Sequence, residues 1–207
     1  MQEQDIYGEY GVYLPKILDN LSQRIQEAND RVKQETGQKL FEHFNARVKQ
    51  AASMEEKCRR KNLPKAPESA LKEIRDAIGI RIICGFIEDI YQTIEVLRQL
   101  EGCEIVLEKD YIRAAKPNGY RSYHLILEVE TPYEDCHSQN PGRYFVEIQL
   151  RTIAMDSWAS LEHQMKYKHD IKNPEMITRE LKRCADELAS CDLTMQTIRN
   201  LIQEGGD

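Results

Sequence analysis

Residues 144–151, Y-F-V-E-I-Q-L-R, constrain the fold most, because their apolar and polar side chains alternate. The side chains of a β-strand point in turn to opposite faces of a sheet. One face of this strand is therefore apolar and is predicted to be buried. The other carries a carboxylate, a carboxamide and a guanidinium, on Glu147, Gln149 and Arg151. An ordinary exposed strand also carries such side chains, so the stretch predicts a strand and leaves the role of its polar face open.

The remaining periodicity predicts an α+β fold. Strand patterns occur at residues 80–84, 104–111, 122–129 and 143–151. Helical spacing predicts amphipathic helices within residues 10–44, broken at Gly37, and further helices at 88–99, 154–168 and 174–203. Two prolines make residues 63–69 a loop, and a short helix is expected after it. We expect a mixed or antiparallel sheet of four or five strands, with helices on one face and at both ends.

Composition excludes several classes of function. The net charge of -6 and the pI near 5.5 argue against binding of duplex nucleic acid, so no DNA partner is expected. The chain has no run of 18 apolar residues, and its first residues do not resemble a signal peptide, so we expect a cytoplasmic protein without a membrane partner. The six cysteines have no metal-binding spacing and are predicted to be reduced thiols without chemistry.

A basic cluster precedes the loop. Ser53 and Glu56 form a capping-box pattern that predicts a helix starting at Ser53. A helix N-terminus surrounded by cations can bind a polyphosphate, although a solvated basic face is the commoner role of such a run. No glycine-rich phosphate-binding motif accompanies the cluster. Its cations are Arg47, Lys49, Lys57, Arg60 and Lys61.

Two further positions stand out around the first predicted strand. Asp76 lies just before it, and if this strand neighbours that of Glu147, the two carboxylates could hold Mg²⁺ in one cleft. Alone, Asp76 is more typical of a helix end or a loop than of a metal site. Arg81 lies between two isoleucines, where a charge needs a partner or ligand, and its guanidinium can stack on a base.

The loop before the third strand contains K-P-N-G-Y-R, residues 116–121. Gly119 permits an unusual backbone conformation, and Tyr120 could offer its ring to a purine or simply pack on the sheet. His124, on the following strand, is either a core histidine or a substrate ligand.

Six blocks, in this order, together resemble the synthetase domain of the RelA/SpoT superfamily over about residues 40–170. They read R-V-K-Q-A-A-S-M-E-E-K-C-R-R (47–60), D-A-I-G-I-R (76–81), E-K-D-Y-I (108–112), K-P-N-G-Y-R-S-Y-H (116–124), V-E-I-Q-L-R-T (146–152) and W-A-S-L-E-H-Q-M-K-Y-K (158–168). The length and the final long helix resemble the stand-alone small alarmone synthetases of the RelQ-like branch.

This resemblance implies a nucleotidyltransferase-like fold, Mg²⁺ as cofactor and a homotetramer. It also implies transfer of the β,γ-pyrophosphate of ATP to the 3′-hydroxyl of GDP or GTP, giving ppGpp or pppGpp. The chain would form one synthetase domain, with N-terminal helices in residues 1–45, a catalytic core in 46–170 and a C-terminal helix in 171–207. Single-stranded RNA stays open as a further ligand.

The resemblance also implies roles for individual residues. Arg47 and Arg81 would sandwich adenine, and the ATP phosphates would be held by Lys49, Ser53, Lys57 and Arg60. Asp76 and Glu147 would bind the metal, and Glu147 would orient or deprotonate the 3′-hydroxyl. The GDP or GTP site would comprise Lys116, Asn118, Tyr120, His124 and Gln149, with Tyr120 stacked on guanine and Gln149 near the ribose. Trp158, Glu162 and His163 would brace the acceptor loop.

Two alternatives remain at this level. One is a toxin-like relative that pyrophosphorylates the 3′ end of tRNA, against which the acidic balance of the chain argues. The other is a non-catalytic regulator that binds nucleotide or RNA on the same fold, which loss of Asp76, Glu147 or Tyr120 would have favoured.

Overall fold

A single mixed sheet organises the computed structural model, which describes residues 5–167 and 173–205. Its five strands lie in the order β1-β2-β5-β4-β3. They are β1 (His43–Val48), β2 (Ile78–Cys84), β3 (Cys103–Asp110), β4 (Tyr123–Thr131) and β5 (Gly142–Thr152). The helices are α1 (Leu14–Thr36), α2 (Ala51–Arg60), α3 (Ile87–Arg98), α4 (Ile153–Tyr167) and α5 (Pro174–Glu204). A 3₁₀ helix (Gly8–Val12) and a π-helical turn (Ser69–Glu73) complete the described elements. The predicted α+β fold with a mixed sheet is confirmed.

The strand register collects polar side chains on one face. β2 and β5 run parallel, with Gly79 opposite Glu147 and Arg81 opposite Gln149. β1 and β4 flank this pair in antiparallel orientation, which sets Arg47 opposite Gly79 and His124 opposite Gln149. Because directly paired residues point to the same face, these side chains all lie on one side of the sheet.

The opposite face is the core. Ile80 of β2, Leu125 of β4 and Ile148 of β5 are almost completely buried there, in one cluster with apolar side chains of α1 and α3. Full burial of each such side chain contributes about 1.5–3 kcal/mol relative to exposure. The helices thus cover this face, as the apolar alternation predicted, and leave the polar face accessible.

Two local predictions were wrong. The first helix ends at Thr36, with Gly37 in the left-handed conformation (φ +75°), and the chain then forms strand β1 where the pattern predicts helix up to residue 44. β1 is an edge strand with no buried residue, so it lacks the apolar alternation that identifies a strand.

Helix α2 begins at Ala51 after the cap residue Gln50, so Ser53 lies in its first turn and is not the cap. It starts early because the N–H of Lys49 is bound to the Ala77 carbonyl (2.8 Å), and the chain turns into α2 directly from β1.

Helix α5 docks on the domain at two places and leaves an apolar face exposed. A buried ion pair joins Asp89 of α3 to Arg199 of α5. Trp158 of α4 donates its indole N–H to the Leu181 carbonyl of α5 (2.8 Å). Leu193, Met195, Ile198, Leu201 and Ile202 on α5 are 45–70% exposed.

Among the described helices, none combines the length and apolar character that a bilayer crossing requires.

Candidate active site

Two adjoining clefts open on the polar face of the sheet. The first has a volume of about 400 Å³ and is lined by Asn45, Ala46, Arg47, Lys49, Asp76, Gly79, Ile80, Arg81, Glu147 and Gln149. The second has a volume of about 260 Å³, and its lining includes Lys57, Lys61, Asp76, Lys109, Tyr111, His124 and Glu147. Asp76 and Glu147 line both clefts, so the two carboxylates mark the place where the clefts meet.

Asp76 is held by two lysines in the turn that leads into β2. Its Oδ2 accepts hydrogen bonds from the ammonium groups of Lys49, at the end of β1, and Lys57, in α2. Burial alone would raise the pKa of Asp76, but the hydrogen bonds from Lys49 and Lys57 outweigh it and keep the pKa below its ordinary value. The carboxylate is therefore ionised at neutral pH.

The other oxygen of Asp76, Oδ1, is buried and has no hydrogen-bond partner within residues 5–167 and 173–205. An ionised, partly unsatisfied carboxylate oxygen at the edge of a polar cleft is costly unless a ligand completes its contacts. Mg²⁺ prefers carboxylate oxygen ligands, and Glu147 offers a second carboxylate in the same two clefts. The donor set at this junction fits a divalent cation.

A chain of hydrogen bonds links Glu147 to the loop before β4. Glu147 Oε2 accepts from Gln149 Nε2 (3.0 Å), and Gln149 Oε1 accepts from Arg151 Nη2 (3.0 Å). Arg151 Nη2 also donates to the hydroxyl of Tyr120 (2.8 Å), which lies 2.8 Å from His124 Nε2. We call these five residues the polar chain. It connects the junction of the clefts to the residues predicted to bind the acceptor.

His124 is neutral in this environment. Burial, followed by the nearby charges of Arg151, Lys116 and Lys109, lowers the pKa of His124 to about 4. A guanidinium can only donate, so the Tyr120 oxygen accepts from Arg151 and has its own proton available for His124 Nε2. This arrangement assigns the imidazole proton to Nδ1.

Arg81 and Arg151 share one carboxylate. Asp156 Oδ1 lies 2.9 Å from Arg151 Nη1 and 3.4 Å from Arg81 Nη1. Arg81 Nε is buried without a hydrogen-bond partner in the described part of the chain, while its guanidinium end lines the first cleft with Arg47. Gly79 lies on the cleft floor, opposite Arg47 on β1 and two residues before Arg81 on β2, and a Cβ there would meet no described atom within 4 Å. The cleft floor at Gly79 is therefore open.

The loop that carries Lys116 to Tyr120 is docked against α4 and α5. The ammonium group of Lys116 lies 4.5 Å from the ring centroid of Tyr111 and 4.7 Å from that of Tyr120. Asn118 Oδ1 accepts from the Tyr120 N–H (3.2 Å), and its Nδ2 donates to Glu162 of α4 (3.4 Å). Arg121 donates to the Ala185 carbonyl of α5 and pairs with Asp186. The loop is thus held to α4 through Asn118 and to α5 through Arg121.

The structure brings together most of the residues singled out from sequence. Arg47, Lys49, Asp76, Arg81, Glu147 and Gln149 line the first cleft, and Lys57 and His124 line the second. Lys116, Asn118 and Tyr120 are not among the residues that line the second cleft. Lys116 lies against Tyr111 and Tyr120 is bonded to His124, both of which line it, whereas Asn118 contacts only Tyr120 and Glu162 among the described hydrogen bonds. Ser53 and Arg60 are exposed on α2 and line neither cleft.

Sequence reasoning missed the roles of Arg151 and Asp156. The alternation places Arg151 on the polar face of its strand without giving it a function, although it is 5% exposed and holds three site residues. The position of Arg151 between the apolar Leu150 and Thr152, at the end of a strand pattern, gave no distinct signal for this role. Asp156 carried no such signal, because its two partners lie on different strands.

Comparison with known proteins adds independent evidence. The family model described as "Region found in RelA / SpoT proteins" matches residues 46–172. The GTP pyrophosphokinase YwaC of Bacillus subtilis is 42% identical over 167 residues, which are 80% of this chain and 77% of that protein. The crystal structure of small alarmone synthetase 1 from Bacillus subtilis bound to its product pppGpp superposes with a TM-score of 0.80 and 32% identity, covering 94% of this chain and 96% of that chain.

A second crystal structure of small alarmone synthetase 1 from Bacillus subtilis, bound to AMPCPP, has a TM-score of 0.74 and 29% identity, with 94% of this chain and 96% of that chain covered. The family match includes every residue that lines the first cleft except Asn45. With its site geometry, its sequence similarity and its fold in agreement, the chain belongs to the RelA/SpoT family.

Proposed function

We propose that this protein is a GTP pyrophosphokinase, which transfers the β,γ-pyrophosphate of ATP to the 3′-hydroxyl of GDP or GTP and makes ppGpp or pppGpp. The observation that carries the proposal is the meeting of two clefts at Asp76 and Glu147. A transfer between two nucleotides requires two binding sites whose reacting groups meet at one point. The relative YwaC bears the same activity in its name.

The first cleft is the proposed ATP site. Arg47 and Arg81 would stack on adenine, and the open cleft floor at Gly79 supports this assignment. Lys49 and Lys57 would bind the phosphates, because their ammonium groups already converge on Asp76. Ser53 and Arg60 are also proposed as phosphate ligands, and only the resemblance to the RelA/SpoT family supports their assignment.

Mg²⁺ is the proposed cofactor, held by Asp76 and Glu147. The unsatisfied Oδ1 of Asp76 supports this assignment. When bound, Mg²⁺ would supply neutralisation of charge on the phosphate oxygens. Lys49 and Lys57 place two positive charges beside Asp76, so side chains of this protein would also neutralise charge on the phosphate oxygens.

The second cleft and the loop above it form the proposed acceptor site. Tyr120 would stack on guanine, and Lys116 and Asn118 would hold the loop and contact the nucleotide. Neutral His124 and Gln149 would orient Tyr120 and the ribose through the polar chain. Glu147 would orient the 3′-hydroxyl and accept its proton, since an alcohol is a weak nucleophile without a base in hydrogen-bond reach.

We further propose a homotetramer that works in the cytoplasm, where nucleotides are available. The exposed apolar side chains of α5 support self-association, since an apolar helix face of this size is unusual on a monomer. The proposed catalytic core of residues 46–170 contains both clefts, and the flanking helices at 1–45 and 171–207 would support and assemble it.

The test measures product formation from ATP and Mg²⁺, with GDP, GTP, GMP and deacylated tRNA offered separately. Anion-exchange chromatography should resolve AMP and a 3′-pyrophosphorylated guanosine nucleotide. Glu147→Gln and Asp76→Asn should lower turnover by about 10²–10⁴-fold while binding of an ATP analogue changes little. The matched controls Glu104→Gln and Asp30→Asn alter exposed carboxylates outside both clefts and should retain activity.

Three outcomes would overturn parts of the proposal. Near wild-type turnover in either site variant would refute the roles of the carboxylates. Transfer only to tRNA would make the protein a tRNA 3′-end pyrophosphokinase, and no AMP from any acceptor would indicate a nucleotide-binding regulator.

A further inference from the structure

A second cluster of ligand-type side chains lies outside both clefts. It consists of Glu68, before the π-helical turn, and Cys136 and His137, in the loop between β4 and β5. The imidazole Nε2 of His137 lies 2.7 Å from the Glu68 carboxylate, and the thiol of Cys136 lies 3.8 Å from it. The three donor atoms all lie within 4.8 Å of one another, although Glu68 and Cys136 are 68 positions apart in the sequence.

The loop that carries two of these donors is fixed by Asp135. Its Oδ1 accepts the N–H groups of His137 (2.9 Å) and Gln139 (3.2 Å), and its Oδ2 accepts that of Arg143 (3.1 Å). Lys72, in the π-helical turn that follows Glu68, pairs with Asp135 at 2.7 Å. Asp135 is almost fully buried, so the two segments that supply the donors are locked together.

The chemistry of the three donors selects a class of metal. A thiolate, an imidazole and a carboxylate together are typical of zinc and related divalent transition metals, whereas Mg²⁺ and Ca²⁺ prefer oxygen ligands alone. Tetrahedral zinc with ordinary bond lengths requires donor atoms about 3.3–3.6 Å apart. The observed separations of 2.7 and 3.8 Å lie on either side of this range. The Glu68 and His137 side chains are nearly half exposed and can adjust by rotation.

We propose that Glu68, Cys136 and His137 form a binding site for a zinc-class divalent metal ion, with one coordination position left for water. Binding replaces the hydrogen bonds among the three side chains, and the thiol proton of Cys136 passes to solvent as the sulfur–metal bond forms. The ion would join two segments of the chain. One is the segment that precedes Asp76, and the other is the loop before β5, the strand that carries Glu147.

Co²⁺ is the first probe, because a thiolate bound to cobalt gives a charge-transfer absorption band that oxygen ligands do not. Titration of the nucleotide-free protein should give the band with one equivalent per chain, and Zn²⁺ should abolish it by competition. Cys136→Ser should remove the band, and His137→Ala and Glu68→Gln should weaken binding by at least roughly 10–100-fold, because loss of an outer-shell partner alone typically costs that much. Cys184→Ser, which removes an exposed thiol on α5, is the matched control and should keep the band.

Thermal unfolding provides a second readout. Zn²⁺ at about 100 times its dissociation constant should raise the Tm of the wild type by about 5–10 °C and that of Cys136→Ser by much less. The proposal is wrong if Cys136→Ser retains the cobalt band, if Cys184→Ser loses it, or if neither metal binds. Because no nucleotide is present, failure here leaves the proposed pyrophosphokinase activity unaffected.

Discussion

Asp135 should contribute strongly to stability, and its contribution can be derived from its contacts. Burial opposes ionisation, but the hydrogen bond from Lys72 and those from the backbone of Arg143, His137 and Gln139 lower the pKa of Asp135 from 3.8 to about 2. A difference of this size corresponds to about 2–3 kcal/mol of stability at neutral pH. Asp135→Asn should therefore lower the free energy of unfolding at pH 7 by about 2–3 kcal/mol.

The pH dependence gives the reasoning a sharper test. Because the pKa of Asp135 is lower in the folded state, its stabilisation is complete above the unfolded pKa and disappears as the pH falls through the folded pKa. The stability difference between wild type and Asp135→Asn should stay constant from about pH 7 to about pH 5 and shrink below about pH 4.

Urea unfolding at a series of pH values, followed by circular dichroism, measures this difference directly. Asp30→Asn changes an exposed aspartate of α1 and serves as the matched control, with a change below about 0.5 kcal/mol. The reasoning fails if Asp135→Asn is as stable as wild type at pH 7, or if the difference persists unchanged where Asp135 is protonated.

Three further predictions concern the clefts, the acceptor loop and the C-terminal helix. Gly119→Ala should destabilise by about 2–4 kcal/mol and raise the KM for GDP more than that for ATP, because φ is +91° and a Cβ would lie 2.6 Å from Ala185 Cβ. Gly79→Val should preserve the Tm but raise the KM for ATP at least tenfold, because its side chain would project into the first cleft. Leu201→Glu should dissociate the proposed oligomer in light scattering, because Leu201 is 63% exposed on a single chain.

Each of these three predictions has an outcome that would refute it. Gly37→Ala provides the control for Gly119, since Gly37 also has a positive φ (+75°) but no described atom lies within 4 Å of the position that its Cβ would take. Equal costs at both sites would refute the clash. An unchanged KM for ATP in Gly79→Val would exclude the first cleft as the ATP site. An intact oligomer in Leu201→Glu would place the interface elsewhere.

Periodicity predicted the elements that carry an apolar face. The strand at 143–151 and the helix at 88–99 agree with β5 and α3 to within one residue at each end, because both bury a continuous stripe. β1 was not predicted, because four of its six residues are exposed and none is buried. The helix start at Ser53 failed because the exit from β1 determines where α2 begins, and this depends on a contact with Ala77 from outside the motif.

The candidate site, too, was predictable from the sequence only in part. The expectation that Asp76 and Glu147 face one cleft depended on whether their strands pair, and β2 and β5 do pair. Which side chains bind one another across that pairing could not be read from spacing. The bridge of Asp156 to Arg81 and Arg151 depends on register and rotamers, and so does the meeting of Glu68 with Cys136.

The parallel pairing of β2 with β5 also affects how the chain is made. Residues 85–141, with α3, β3 and β4, separate the two strands in sequence. At a typical synthesis rate, the ribosome needs roughly 3–12 s to deliver this segment. Throughout that interval the proposed ATP-binding residues already exist, but the apolar strand β2 has no neighbour on its β5 side. An unpaired apolar strand edge attracts other chains, so the nascent protein should depend on chaperones most strongly during this interval.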